Sequence, residues 1–135
     1  MSTRFLDAVI DANSFPTKEI EENSRKYRQI GLGVMGFADM CMKKEVAYGS
    51  EKANAILDEI GEFLYDKAKD ESENLGKEKG IPEYCNKLPN PRRNMTLLTV
   101  APTGTISILA GCNNGIEPFF SEITQRKDNT GEYVL

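Results

Sequence analysis

"MTLLTVAPTGTISILAGCNNGIEP", residues 95–118, decides how the chain is read. MTLLTV is short, apolar and rich in β-branched residues, as a buried strand of a parallel sheet would be. Pro102 ends it, Gly104 makes a tight turn, and Ile108, Leu109 and Ala110 look helical. A strand that passes through a glycine turn into a helix leaves several backbone N–H groups without helical partners, aimed at one point. Phosphate binds well there, because the amides, the helix dipole and nearby hydroxyls act together. Thr103, Gly104, Thr105, Ile106 and Ser107 are therefore the candidate anion-binding residues, with Gly104 letting the backbone approach the oxygens. Spacing alone leaves another reading open, in which Thr103, Thr105 and Ser107 merely cap a helix. The turn has no lysine and is not a Walker A loop.

A second glycine motif lies upstream. Gly31, Gly33 and Gly36 spell GxGxxG, the fingerprint of a dinucleotide-binding enzyme. That reading needs a buried strand immediately before the glycines, but Ser24 to Gln29 read as the charged end of a helix. Glu51 and Asp58 stand near the distance at which an acidic residue would hold a ribose, yet both fall in a long helix. The simpler account is that these glycines let an extended segment, placed at 29–34, pack closely on a helix.

Around these motifs the chain is predominantly helical. Phe5, Leu6, Val9, Ile10 and Ala12 share one face of a first helix that Asn13 and Pro16 end. A second starts near Thr17, with Glu19, Glu21 and Glu22 early and Arg25, Lys26 and Arg28 late, so helices occupy 1–28 and these charges form a solvated face. The glycine-rich segment 30–37 leads into a short helix at FADMCMKKE. Ser50 is a candidate N-cap for a long amphipathic helix over 50–77, in which Ala53, Ile56, Leu57, Ile60, Phe63, Leu64 and Ala68 keep helical spacing. Three prolines make 80–94 irregular, with Arg92 and Arg93 expected in solvent. The phosphate-loop region covers 95–120. The tail alternates around Ile123, turns at Asp128 to Gly131 and ends strand-like at Tyr133, Val134 and Leu135. The expected fold class is α/β, helix-rich with a few strands, the 135 residues forming a single segment of one domain.

Composition excludes several functions. The net charge is -4, with Lys and Arg scattered among acids, which argues against a nucleic-acid surface and for a small molecule or a protein as partner. Cys41, Cys85 and Cys112 are odd in number and lack CxxC spacing, so no disulfide framework or zinc site is expected and a reducing, cytoplasmic setting fits. No stretch reaches the roughly 18 apolar residues of a membrane span, and nothing at the N-terminus reads as a targeting segment. The sequence has no histidine, which removes the commonest general base and metal ligand. Any chemistry must use other groups or take place on another chain. Cys112 is expected to pack as a small apolar residue, and Glu117, with no base or metal partner, to close its loop.

Three stretches together carry a family resemblance: RQIGLGVMGFADM, then YGSEKA, then RRNMTLLTVAPTGTISILAGCNNGIEPFF. They resemble the C-terminal part of the catalytic barrel of ribonucleotide reductase, most of all its adenosylcobalamin-dependent (class II) large chain. RFLDAVIDANSFPTKEIEENSRKYR is similar to the stretch just before it, so the resemblance covers nearly the whole chain. It implies a C-terminal fragment of an α/β barrel, from a split gene or trimmed from a longer chain. Thr103, Gly104, Thr105, Ile106 and Ser107 then stand where that family receives the substrate's phosphates. It further implies a ribonucleotide substrate, reduction of the ribose 2′ carbon by a radical route, and adenosylcobalamin for the parent enzyme with its contacts elsewhere. The family's radical cysteine lies in an Asn-x-Cys-x-Glu motif, which surrounds none of the three cysteines here. Catalytic and metal-binding residues are thus expected to be absent, and the chain to associate with the missing N-terminal portion or with itself. A helical interaction module without a ligand is the alternative of a different class.

Overall fold

The computed structural model describes residues 1–120, 125–128 and 131–134. Its elements are α1 (Ser2–Ala12), α2 (Lys18–Tyr27), α3 (Phe37–Lys43), α4 (Glu51–Lys79), α5 (Ile106–Ala110), β1 (Gln125–Asp128) and β2 (Gly131–Val134), with a 3₁₀ turn at Cys85–Lys87. They form two compact units, one of Met1–Gly33 with Asn54–Ala101, the other of Val34–Ala53 with Pro102–Leu135.

In the first unit, α1 buries a face other than the one expected from its apolar residues. Thr3 and Asp7 are buried and Leu6 and Ile10 partly so, whereas Phe5 is 67% and Val9 44% exposed. The helix is turned by Asp7, whose carboxylate finds two guanidinium partners in the interior. α2 starts where the Thr17 hydroxyl accepts the Ile20 N–H at 3.3 Å. It ends at Arg28, left-handed at φ 43°, whose N–H donates to the Ser24 carbonyl.

Residues 30–32 and 96–99 then run parallel. The Ile30 N–H donates to Thr96 O at 3.3 Å, the Leu32 N–H to Leu97 O at 2.8 Å, and the Thr99 N–H to Leu32 O at 3.0 Å. Only Leu32 and Leu98 make a formal bridge, so the buried strand expected at 95–100 is reduced to a short extended pairing. The reason lies in its faces. Ile30 and Leu97 enter a core with Ala68, flanked by Leu6, Ile10 and Leu98, but Thr96, Thr99 and Val100 are exposed. Gly31 and Gly33 serve this pairing: a Cβ on Gly31 would stand 2.5 Å from Thr99 Cγ2, and one on Gly33 would overlap the Thr99 carbonyl oxygen. The close packing is therefore between two extended segments and not of a strand on a helix.

α4 runs for 29 residues. Ala53, Ala68, Ser72 and Leu75 are buried at helical spacing, while Phe63, counted on the same face from sequence, is 62% exposed. Beyond it, the ring of Tyr84 packs against that of Tyr27, centroids 4.9 Å apart and planes tilted by 39°, and the Cys85 thiol donates to the Tyr27 carbonyl. Arg92 and Arg93 are not in solvent as expected. Arg92 is half-buried and donates to the Asn94 and Met95 carbonyls, and Arg93 is 9% exposed.

In the second unit, Gly36 at φ 79° opens α3, on which Phe37, Ala38 and Cys41 are buried. The Ser50 hydroxyl accepts the Ala53 N–H at 3.2 Å and caps α4. β1 and β2 pair antiparallel, Gln125 with Val134 through Asp128 with Gly131. Asn129 and Thr130 of the expected turn, Ile123 and Leu135 lie outside the described residues.

Candidate functional site

The candidate anion loop is stiffened from within. Thr103 sits at φ 56°, a left-handed conformation that β-branched residues rarely adopt and that needs support from its surroundings. Two hydrogen bonds give it: the Ser107 N–H donates to the Thr103 carbonyl at 2.9 Å, and the Gly115 N–H to the Thr103 hydroxyl at 2.7 Å. The Ser107 amide is thus already committed, and an anion would have to be met without it. Ser107 itself is 1% exposed, and its hydroxyl donates to Asn114 Oδ1 at 2.5 Å.

Thr105 and Ile106 are exposed. Thr105 is the N-cap residue of α5, yet its side chain makes no capping hydrogen bond. Capping therefore does not account for its hydroxyl. α5 has five residues, so a helix dipole contributes little and any affinity rests on local donors.

A second segment, residues 113–117, closes the loop from behind. The Asn113 side-chain amide donates to the Glu117 carbonyl at 2.6 Å, and the Glu117 N–H to the Asn114 carbonyl at 2.9 Å. Glu117 thus takes part in the closure through its backbone. Cys112 is half-buried, and its Cβ would lie 3.2 Å from a Cβ added at Gly36.

The first unit holds a polar cluster that sequence reasoning missed. Asp7 is fully buried and accepts from Arg28 Nε at 2.8 Å, Arg93 Nε at 2.9 Å and Asn94 Nδ2 at 3.0 Å. Asn94 is also joined to Ser72, which donates to its Oδ1 and accepts its N–H, both at 2.9 Å. Arg28 forks onto Asp11 through both terminal nitrogens, and Arg93 caps α4 by donating to the carbonyls of Lys79 and Gly80. Burial pushes the Asp7 carboxyl up, but hydrogen bonds from Arg28, Arg93 and Asn94 outweigh it and hold it below the usual carboxylate range. The Asp11 carboxyl is lowered by Arg28. No described buried polar side-chain atom lacks a partner. The available signal was Asp7 at helical spacing with Thr3, Leu6 and Ile10, a charge on a face that had to be inside.

Cys41 and Cys85 are buried thiols, and burial raises the pKa of Cys85. Among the described residues no group of three His, Cys, Asp or Glu is placed to hold a metal, and no helix is long and apolar enough to cross a membrane. The dinucleotide reading fails on geometry: helix α2 runs to Tyr27, where that reading needs a strand, and Glu51 and Asp58 lie in α4.

Residues 1–89 and 89–135 match the family described as "Ribonucleotide reductase, barrel domain". The chain belongs to that family. It is 45% identical over 99% of its length to a vitamin B12-dependent ribonucleoside-diphosphate reductase of Thermoplasma acidophilum, and spans 18% of that protein. A reductase of the same description from Mycobacterium tuberculosis is 39% identical over 90% of the chain, which again spans 18% of the relative. The class Id ribonucleotide reductase alpha subunit of Actinobacillus ureae superposes with a TM-score of 0.79 at 31% identity, covering 89% of this chain and 24% of that one. Among the described residues the barrel region represented here is rich in helices, with only the short strands β1 and β2. Alignment with the alpha subunit of Chlamydia muridarum, 30% identical, takes 177 positions for all of this chain and 17% of the relative, so extra residues lie within the matched region there.

Proposed function

We propose that this chain is the part of a ribonucleoside-diphosphate reductase that seats the phosphates of its substrate, through the loop Thr103, Gly104, Thr105, Ile106 and Ser107. Family membership along the whole chain carries this reading. The loop's geometry supports it: Thr103 and Ser107 are tied down, and Thr105 presents an uncommitted capping hydroxyl on the exposed side. Binding energy gathered at the phosphates, remote from the reacting ribose carbon, serves to orient the sugar for chemistry performed by other residues.

Those residues belong to the rest of the reductase. The buried thiols of Cys41 and Cys85 do not suit a radical-carrying or reducing cysteine. The vitamin B12 dependence in the relatives' names points to adenosylcobalamin as the parent enzyme's cofactor, and its contacts are assigned to the rest of the reductase. The chain works by joining the remaining barrel. Ile106, Leu109, Phe119 and Phe120 of the second unit are 55%, 90%, 47% and 83% exposed, an apolar surface suited to a protein partner.

The test is Gly104→Val in the assembled reductase. The expected result is a KM for the nucleoside diphosphate raised at least tenfold; an unchanged KM rules out close approach of the backbone to the phosphates.

A further inference from the structure

Segment 113–115 touches two things at once. On one side it is fixed to the start of α3: Asp39 Oδ2 accepts the Asn113 N–H at 2.6 Å, the Gly36 N–H donates to the Asn113 carbonyl at 2.9 Å, and the Phe37 N–H to the Gly115 carbonyl at 3.4 Å. On the other it grips the candidate loop, where Asn114 Oδ1 accepts from the Ser107 hydroxyl and the Gly115 N–H donates to the Thr103 hydroxyl. The first turn of α3 thus holds the segment that holds the loop.

From this we infer that Asp39 is a positioning residue for the phosphate loop, acting through Asn113. The carboxylate makes the shortest of the three contacts with α3, and it is the only charged one, so it dominates the clamp. Its side chain is half-buried, where a charge-assisted bond is screened less than at the surface. Thr103 gives the coupling its force. A left-handed threonine costs free energy and returns to an ordinary conformation when its support loosens, carrying the loop's donors with it. Without Asp39 the Asn113 amide loses its partner, segment 113–115 shifts, and the Thr103 hydroxyl loses the Gly115 N–H. The loop then samples several conformations, of which a fraction binds, and apparent affinity falls by that fraction.

This inference rests on the phosphate reading, and its test separates the two. In the full chain, Asp39→Ala and the shape-conserving Asp39→Asn are compared with the parent by amide hydrogen exchange and by titration with inorganic pyrophosphate. Faster exchange is expected at Gly115 and Asn113 in Asp39→Ala, with less change in Asp39→Asn, whose amide oxygen still accepts. Exchange at Ala68 and Leu75 in α4 stays as in the parent and reports that the fold is kept. Pyrophosphate binding weakens at least tenfold in Asp39→Ala and recovers in part in Asp39→Asn. Unchanged exchange at Gly115 in both variants overturns the role of Asp39, whatever the binding data. Faster exchange at Gly115 in a protein whose parent form does not bind pyrophosphate upholds the clamp and counts against the phosphate reading.

Discussion

At the scale of single residues, Asp7 ties together segments far apart in the chain. One carboxylate joins α1 to Arg28 at the end of α2 and to Arg93 and Asn94 before the extended segment. Removing one partner of a buried ion pair leaves the other charge stranded, at a cost of about 3–5 kcal/mol. Asp7→Asn is expected to lower stability by that amount in urea unfolding, and Asp11→Asn, at a half-exposed position, by much less. The folded pKa of Asp7 is depressed, so its contribution is complete above the ordinary carboxylate pKa of about 4 and is lost as pH falls through the folded value. The parent's stability should therefore decline below about pH 4 more steeply than that of Asp7→Asn. Glycine substitutions give a second contrast. Gly33→Ala drives a methyl against the Thr99 carbonyl and should cost about 1–3 kcal/mol, whereas Gly61→Ala, in α4 with nothing nearby, should stabilise by about 0.5–1 kcal/mol.

At the scale of elements, the long helix was legible because its signal is redundant: a capping serine and apolar residues recurring over several turns. Leu75→Ala, at a fully buried site, should cost about 2–5 kcal/mol, and Phe63→Ala, mostly exposed, under about 0.5 kcal/mol in the same melts. Periodicity named Phe63 and missed Asp7 because it ranks residues by hydrophobicity and cannot see that two arginines far along the chain will neutralise a buried acid. The extended segments show a related failure. Val, Leu and Thr in MTLLTV state β preference, but how far pairing extends depends on neighbours, and here the partner carries two glycines. In the candidate site, composition and spacing alone single out Thr103 to Ser107 as the loop to test. The clamp was not legible, since Asp39 and Asn113 lie 74 positions apart and meet only through the fold.

At the scale of the whole molecule, the chain carries apolar side chains in water that its own fold does not cover. Phe5 and Val9 on α1 are exposed, as are Leu109 and Phe120. A chain that spans 18% of its Thermoplasma acidophilum relative is expected to bury such residues against the remainder of the barrel or against another copy. Size-exclusion chromatography with light scattering should show concentration-dependent association, and a monomer with cooperative unfolding at every concentration would oppose it. The phosphate seat is assigned to residues 103–107. Hydrogen exchange of these amides in the assembled reductase, with and without a nucleoside diphosphate, tests it most directly. Slowed exchange from Thr103 to Ile106 on adding the nucleotide, with the Ser107 amide already held by the Thr103 carbonyl, is the predicted result; exchange there indifferent to saturating nucleotide would contradict it.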